Sequence, residues 1–348
     1  MRVLVITTMR NEAPFILEWI AYHQHIGVTD FLIYTNDCED GTDLLLDRLQ
    51  DLGVVTHERN HSRGKKAVQW RALSKAQRHP LRKKADWVYV TDVDEFLCIH
   101  KGNGKISDLI EAMPDADGFA IPWRMFGNAG VVDFQDSLIT QTFTRAAPDR
   151  LLWPWRAVQF KSLYKNTPEF EKLGIHRPKT SKGDLHGHWV DGNGGPLPAR
   201  FGTTLPTLEP RYGLAQINHY ALGAMESFLV KVARGRPNHT TDPIDLAYWT
   251  DRNFNTIEDT SMLLHADAIR LGIDALKADV DVVRLHDAGV AWRAQKVQEL
   301  LTDSSFFYMM ARILQMPGTQ VLNETDQKSL FKKLMHVRQL QALRKREL

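Results

Sequence analysis

The stretch DWVYVTDVDEFLCIH, residues 86–100, decides how this chain is read. Trp87 to Thr91 has the apolar, β-branched character of a buried strand, yet Asp92, Asp94 and Glu95 follow before the chain turns apolar again at Phe96 and Leu97. Burying unpaired carboxylates costs several kcal/mol, so something must offset their charge.

Upstream, residues 2–7 (RVLVIT) form a second apolar, β-branched run that ends where polar residues begin. From Ala13 the residues Phe15, Ile16, Trp19, Ile20 and His23 recur at helical spacing, with Pro14 where a first helical turn tolerates it. A strand at residues 31–34, a turn-rich TNDCEDGTD, an amphipathic helix over 44–52, a strand over 54–57 and a helix over 66–77 complete the alternation. Strand and helix in strict turn predict an α/β fold with a mostly parallel sheet flanked by helices. The strands end in TTMRNE, TNDCED, HERNHSRG and TDVDE, and ligands in such sheets bind beyond the carboxyl ends, so the four polar ends converge on one cleft.

From Gly118 the pattern changes to short strands and loops, with Gly and Pro crowded over residues 183–210, and after about residue 242 it is helical. The expected division is a domain over residues 1–237, split into a first half to about 117 and a second from 118, and a helical C-terminal extension over 238–348, with the boundary in residues 237–243. A chain of 348 residues exceeds one ordinary core. Its 44 basic and 42 acidic residues give no whole-chain argument for binding nucleic acid. With Cys38 and Cys98 as its two cysteines and no secretory pattern at its start, the expected compartment is the cytoplasm. The terminal KREL is read as a basic helix end. The tail KSLFKKLMHVRQLQALRKREL is basic with leucines at helical spacing, which leaves open scaffold packed on the first domain, or peripheral contact with an anionic membrane surface or an acidic polysaccharide.

Asp92 and Asp94 alternate about Val93 and share a face if the strand stays extended. Oxygen ligands of this kind suit Mg²⁺ or Mn²⁺, which bind through one or two carboxylates and substrate phosphates. The alternative is an acidic strand end that pairs with nearby lysines and arginines. HERNH, from His57 through Glu58 to His61, has zinc-hydrolase spacing, but the motif requires a helix, and the β-branched residues before it and Arg63-Gly64 after it oppose one.

TTMRNEAPFILEWIAYHQHIGVTDFLIYTNDCEDGT, followed by WVYVTDVDEFL and WRMFG, resembles the nucleotide-sugar-dependent glycosyltransferases of families 2 and 92 over about residues 1–235. The resemblance implies the GT-A fold, a Rossmann-like sheet extended by an acceptor region. It also implies transfer of a sugar from a nucleoside-diphosphate donor, UDP-linked, to a hydroxyl of a glycan or glycolipid. Thr8, Arg10, Glu12, Asn36 and Asp37 would then line the nucleotide pocket, and Asp92 and Asp94 would hold the metal and diphosphate. Cys38-Glu39 departs from the family's usual Ser or Asn. Lys65 and Gln69 are candidates for the nucleotide, while Lys66 is read as solvated. Glu12 has an alternative as a helix cap, and Asp40-Gly41-Thr42 reads as a turn. Trp123 and Arg124 are acceptor candidates, with core packing the alternative for Trp123. The resemblance implies that His219 completes the metal or phosphate site and that Lys231 and Arg234 meet the diphosphate.

Resemblance also implies inversion at the anomeric carbon, which needs a base over the sugar. HGHWVDGNGG offers Asp191 on a segment flexible enough to close, with His186 and His188 beside it and Glu209 and Asp133 as further candidates. The other reading of Asp191 to Gly194 is a tight surface turn. A non-catalytic carbohydrate- or nucleotide-binding module on the same fold remains the rival to an enzyme.

Overall fold

A computed structural model describes residues 1–61, 67–181, 183–235 and 244–344. Lys65, Lys66 and residues 237–243 lie outside the described residues. The strands are β1 (Val3–Met9), β2 (Asp30–Thr35), β3 (Thr56–Arg59), β4 (Trp87–Val90), β5 (Glu95–Ile99), β6 (Gly118–Met125), β7 (Arg145–Ala146), β8 (Phe160–Lys165), β9 (Trp189–Asp191), β10 (Ala215–His219) and β11 (Ile257–Glu258). Helices α1 (Ile16–His25), α2 (Thr42–Asp51), α3 (Val68–Ala76), α4 (Pro80–Lys84), α5 (Ile106–Ala112) and α6 (Ile139–Thr142) accompany the sheet. Later come α7 (Met225–Arg234), α8 (Leu246–Thr250), α9 (Ala266–Lys277), α10 (Val280–Leu301), α11 (Ser304–Leu314) and α12 (Glu324–Arg344).

The nine-stranded sheet runs β3-β2-β1-β4-β8-β6-β10-β5, with β9 also paired to β6. Strands β3, β2, β1 and β4 are parallel, β8 is antiparallel to both β4 and β6, and β6 is parallel to β10. This is the mixed, mostly parallel α/β sheet expected, and it carries a mechanical consequence. The carboxyl ends of β1, β2, β3, β4, β6 and β10 open on one rim, and β5 starts there, paired antiparallel to β10 with Glu95 opposite His219.

Strand β1 is apolar because both its faces are covered: Val3, Val5 and Met9 face the larger core, Leu4 and Ile6 a second one. Helix α1 buries Trp19 against Phe31, its indole N–H donates to the Glu95 carbonyl (3.2 Å), and Tyr22 Oη donates to the Leu97 carbonyl (2.6 Å). These two bonds lock α1 onto β5, just after the acidic turn. The C-terminal helices pack on this core: α9 lies on α1, and α10 contacts α2, α7 and α9. Close approach depends on Gly289, where a Cβ would stand 2.4 Å from that of Ala13. Asp279 caps α10 and forms a two-point ion pair with Arg48 of α2 (3.0 and 2.5 Å). No helix among the described residues is long and apolar enough to cross a membrane.

Candidate functional site

The three carboxylates of the acidic turn are answered by two parts of the fold, Asp92 and Glu95 by β8 and Asp94 by α7. Glu95 is fully buried; its Oε2 accepts from Thr91 Oγ1 (2.7 Å) and from the Asp92 N–H (3.0 Å), closing the turn after β4. Lys161 of β8, also fully buried, reaches Asp92 Oδ2 at 2.8 Å and Glu95 Oε2 at 3.2 Å. Gln69 Nε2 of α3 donates to Asp92 Oδ1 (3.2 Å). Lys231 Nζ of α7 donates to Asp94 Oδ2 (2.6 Å) and to the Ala221 carbonyl (2.7 Å), and His219 Nε2 stands 3.8 Å from Asp94 Oδ1. The charge of the turn is therefore offset by two lysines, one from each side of the sheet's second half.

Burial pushes the Glu95 carboxyl up to about 8 against the pull of Lys161, and Lys161 is held above its ordinary value by Asp92 and Glu95 against its own burial. Burial would also raise Asp94, but Lys231 and then His219 hold it well below the usual carboxylate range. Burial pushes His219 down to about 3, so its imidazole is neutral beside an ionised carboxylate. His176 is likewise lowered to about 4, by burial, and its Nδ1–H donates to the Phe160 carbonyl (2.8 Å). The Trp123 ring is in contact with His219 (4.5 Å between centroids) and His176 (5.5 Å), and its indole Nε1 is buried without a partner.

Removing Lys161 should be severe. Lys161→Met leaves Asp92 and Glu95 facing each other, and breaking a buried pair this way costs about 3–5 kcal/mol. Urea denaturation should show that loss, with much of it recovered in Lys161→Met/Glu95→Gln. Equal stability of wild type and the single variant would contradict the arrangement.

A second cluster joins β1 to the C-terminal helices. Arg234 pairs with Glu12 and donates to the Arg10 carbonyl, while Arg10 pairs with Glu39 (2.9 Å) and donates through Nε to the Asp37 carbonyl (3.1 Å). Asn11 and Asp37 have φ of 56° and 46°, a left-handed conformation costly for non-glycine residues. Asn11 Oδ1 accepts from the Glu39 N–H (2.8 Å) and Asp40 from the N–H groups of Ala13 and Thr42 (2.9 Å each), so the two loops hold each other. Glu12 places no side-chain cap on the following turn, and Gly41 takes φ 82° ahead of α2. Asn36 is buried and Thr8 half-buried at the same rim, where Thr8 pairs with Tyr34.

Between the acidic turn and α7 lies a cleft of about 770 Å³ including its mouth, lined by Glu12, Asp94, Asp133, Lys231, Arg234 and Arg293 among mostly apolar side chains. Arg124 is elsewhere. Strand alternation turns it away from Trp123, and it engages Asp149 (2.8 Å), Asp259 (3.0 Å) and Gln216 (3.1 Å). Asp191 also lies apart. Its Oδ1 accepts from the N–H groups of Asn193 and Gly195 (2.9 Å each), which is the tight-turn arrangement. Asp191 pairs with Ala120, five residues before Met125, the partner of His219, a separation of roughly 16 Å along β6. His188 donates its N–H to Asp117 (2.8 Å), and the His186 carbonyl accepts from Trp189, so both follow Asp191 away from the cleft, while Glu209 is exposed beside Thr207.

His57 and Glu58 sit on strand β3 and point to opposite faces; His57 is bound between Asp47 (2.6 Å) and Thr35 (2.8 Å), which overturns the zinc alternative. Three residues of the site are absent from the sequence reading: Lys161, His176 and Arg293. Of these, Lys161 carries a signal, as a cation between apolar residues in QFKSLYK, a strand that ends in a second lysine, Lys165.

A divalent cation is implied by the fold family, and its fit can be judged from the donors. Among the described residues no group of three His, Cys, Asp or Glu side chains converges as an ion site. Asp92 is occupied by Lys161 and Gln69, whereas Asp94 Oδ1 and His219 Nε2 stand together, one hard oxygen and one neutral imidazole. That pair fits an ion whose remaining ligands are phosphate oxygens and water.

A family 92 glycosyltransferase of Oryza sativa subsp. japonica is 29% identical over 153 residues, covering 42% of this chain and 25% of the relative. One of Ricinus communis is 27% identical over 158 residues, covering 41% and 26%. The matches span about a quarter of these relatives' own length. Among solved structures, S. aureus TarS matches 48% of this chain and 47% of its own at 14% identity with a TM-score of 0.30, and TarS in complex with UDP-GlcNAc matches 48% and 46% at 16% identity with 0.28. The model of glycosyltransferase family 92 matches residues 3–192, more than half of the sequence, and the chain belongs to that family.

Proposed function

We propose that this protein transfers a glycosyl group from a nucleoside-diphosphate sugar, UDP-linked, to a hydroxyl of a glycan or glycolipid acceptor, with inversion. The observation that carries the reading is the ionised Asp94 beside neutral His219, with Lys231 and Arg234 in the same cleft wall. Thr8, Arg10, Asn36 and Asp37 would line the nucleotide, and Asp92, fixed by Lys161 and Gln69, would meet its ribose. Asp94 and His219 would hold Mn²⁺ or Mg²⁺, which when bound supplies charge neutralisation to the departing diphosphate. Lys231 and Arg234 would share that charge. Trp123 borders the sugar, and Glu12 acts by positioning Arg234.

In the transfer, the bond between the anomeric carbon and the diphosphate oxygen breaks as the acceptor oxygen bonds to the opposite face of that carbon. The acceptor proton passes to a carboxylate, and UDP leaves. Asp133 is assigned this base role in place of Asp191, because it lines the cleft with Asp94, whereas Asp191 is spent on its own turn.

Incubation with a panel of nucleoside-diphosphate sugars, read by product mass, tests the reading. Slow donor hydrolysis with Mn²⁺, abolished by a chelator and restored by added metal, is the expected result. No turnover of any donor, with Mn²⁺ or Mg²⁺, would favour the non-catalytic binding module.

A further inference from the structure

The cations lining the cleft share its carboxylates unequally. Lys231 is paired with Asp94 and Arg234 with Glu12, but Arg293 of α10 has no carboxylate within hydrogen-bond distance. Its nearest is Glu12 Oε2 at 3.9 Å. Arg293 is 3% exposed, Nη2 donates to the Asn11 carbonyl (2.7 Å), and Nε is buried without a partner. Its guanidinium lies over the rings of Phe15 (4.6 Å) and Phe134 (5.7 Å). Burial pushes this group down to about 10, an unusual fall for a guanidinium. Contacts with aromatic faces fall short of the cost of burying a cation whose nearest carboxylate is already engaged by Arg234.

An anion entering the cleft would complete this pairing, and the walls around it say what else that ligand carries. Phe15, Phe134, Ile139 and Phe143 line the cleft beside Arg293, and they offer no hydrogen-bonding side-chain group to a sugar. We propose that the cleft binds the acceptor, and that the acceptor is an amphipathic anion of the alkyl-phosphate class, its phosphate on Arg293 and its apolar chain along Phe15, Phe134 and Phe143. This rests on the transferase reading above and names the acceptor's chemistry; the hydroxyl that receives the sugar is a separate group. It also makes the C-terminal helices part of the acceptor site, since Arg293 lies beyond the residues matched by the family.

Calorimetric titration of octyl phosphate, below its micelle-forming concentration, into the full chain and into Arg293→Gln and Arg293→Lys tests the proposal, with UDP and Mn²⁺ titrated into the same proteins. Octyl phosphate should bind the wild type, with octyl glucoside and glucose 6-phosphate weaker by roughly tenfold or more. Arg293→Gln should weaken octyl phosphate by about tenfold or more, Arg293→Lys by less, and both should keep UDP affinity within about twofold. Equal octyl phosphate affinity in wild type and Arg293→Gln overturns the proposal, as does tighter binding of glucose 6-phosphate. A parallel loss of UDP affinity also overturns it, because the guanidinium would then serve the donor. Failure of UDP to bind the wild type would instead remove the transferase reading, while the octyl phosphate titration still decides what the cleft holds. Thermal melting of both variants controls for folding, and the lysine variant keeps a cation at the position if the glutamine variant does not fold.

Discussion

Asp94→Asn should lower glycosyl transfer on the order of 10²–10³-fold and remove the metal-dependent part of UDP affinity. The substitution keeps the shape of the side chain but deletes the one ionised oxygen pair that faces both His219 and the cleft. It also removes the counter-charge of Lys231, whose ammonium keeps the Ala221 carbonyl and the face of Tyr248. Stability should fall with activity, since a buried cation has lost its counter-charge. Asp94→Asn/Lys231→Met separates the two effects: stability should recover and Mn²⁺-dependent UDP binding should not. Because Asp94 is held below the usual carboxylate range and His219 is neutral above about 3, neither group should produce an acid limb in the rate between pH 5 and 8. Calorimetry showing unchanged Mn²⁺-dependent UDP affinity in Asp94→Asn would defeat the assignment.

Asp133→Asn should lower kcat by about 10²–10⁴-fold while leaving donor affinity nearly unchanged, the signature of a base that acts only in the transition state. The position is well suited to that task. The segment bearing Asp133 is pinned to the first turn of α7 by the N–H groups of Met225 and Glu226, which donate to the Val131 and Val132 carbonyls (3.1 Å each). Glu226 in turn accepts from the Phe134 N–H (2.7 Å). A backbone held by three such anchors fixes where the exposed Asp133 side chain starts, which lowers the reorganisation needed to meet an acceptor. Asp191→Asn serves as the contrast: its effect should be confined to the turn it closes, with turnover within about threefold of wild type. Full activity of Asp133→Asn together with loss of turnover in Asp191→Asn would return the base to the glycine-rich turn.

The alternation of apolar runs and amphipathic helices over residues 1–99 was legible because it is local. A strand buried on both faces must be apolar throughout, and a helix facing a sheet must repeat its apolar residues every three to four positions, whatever the rest of the chain does. The elements from β1 to β4 accordingly lie within a few residues of their expected places, and the acidic turn falls at the rim where parallel strands end. The order of short motifs was legible for the same reason, since each is a loop whose residues act where they stand.

What answers the carboxylates was not local. Lys161 is 69 residues from Asp92 and Lys231 is 137 from Asp94, and no spacing rule links a cation in an antiparallel strand or a late helix to an acid at a strand end. Arg124 and Asp191 failed to join the site for geometric reasons: one residue along a strand reverses the face, and five residues displace a side chain by roughly 16 Å. Arg293 enters only because Gly289 lets α10 approach Ala13, a contact between residues almost three hundred positions apart. The sequence by itself determined the sheet, its rim and the acidic turn, because backbone pairing and burial leave a periodic trace. The tertiary structure alone decided which cation meets which carboxylate and which of them must share one, because charge pairing acts across the shortest distance in space and leaves no trace along the chain.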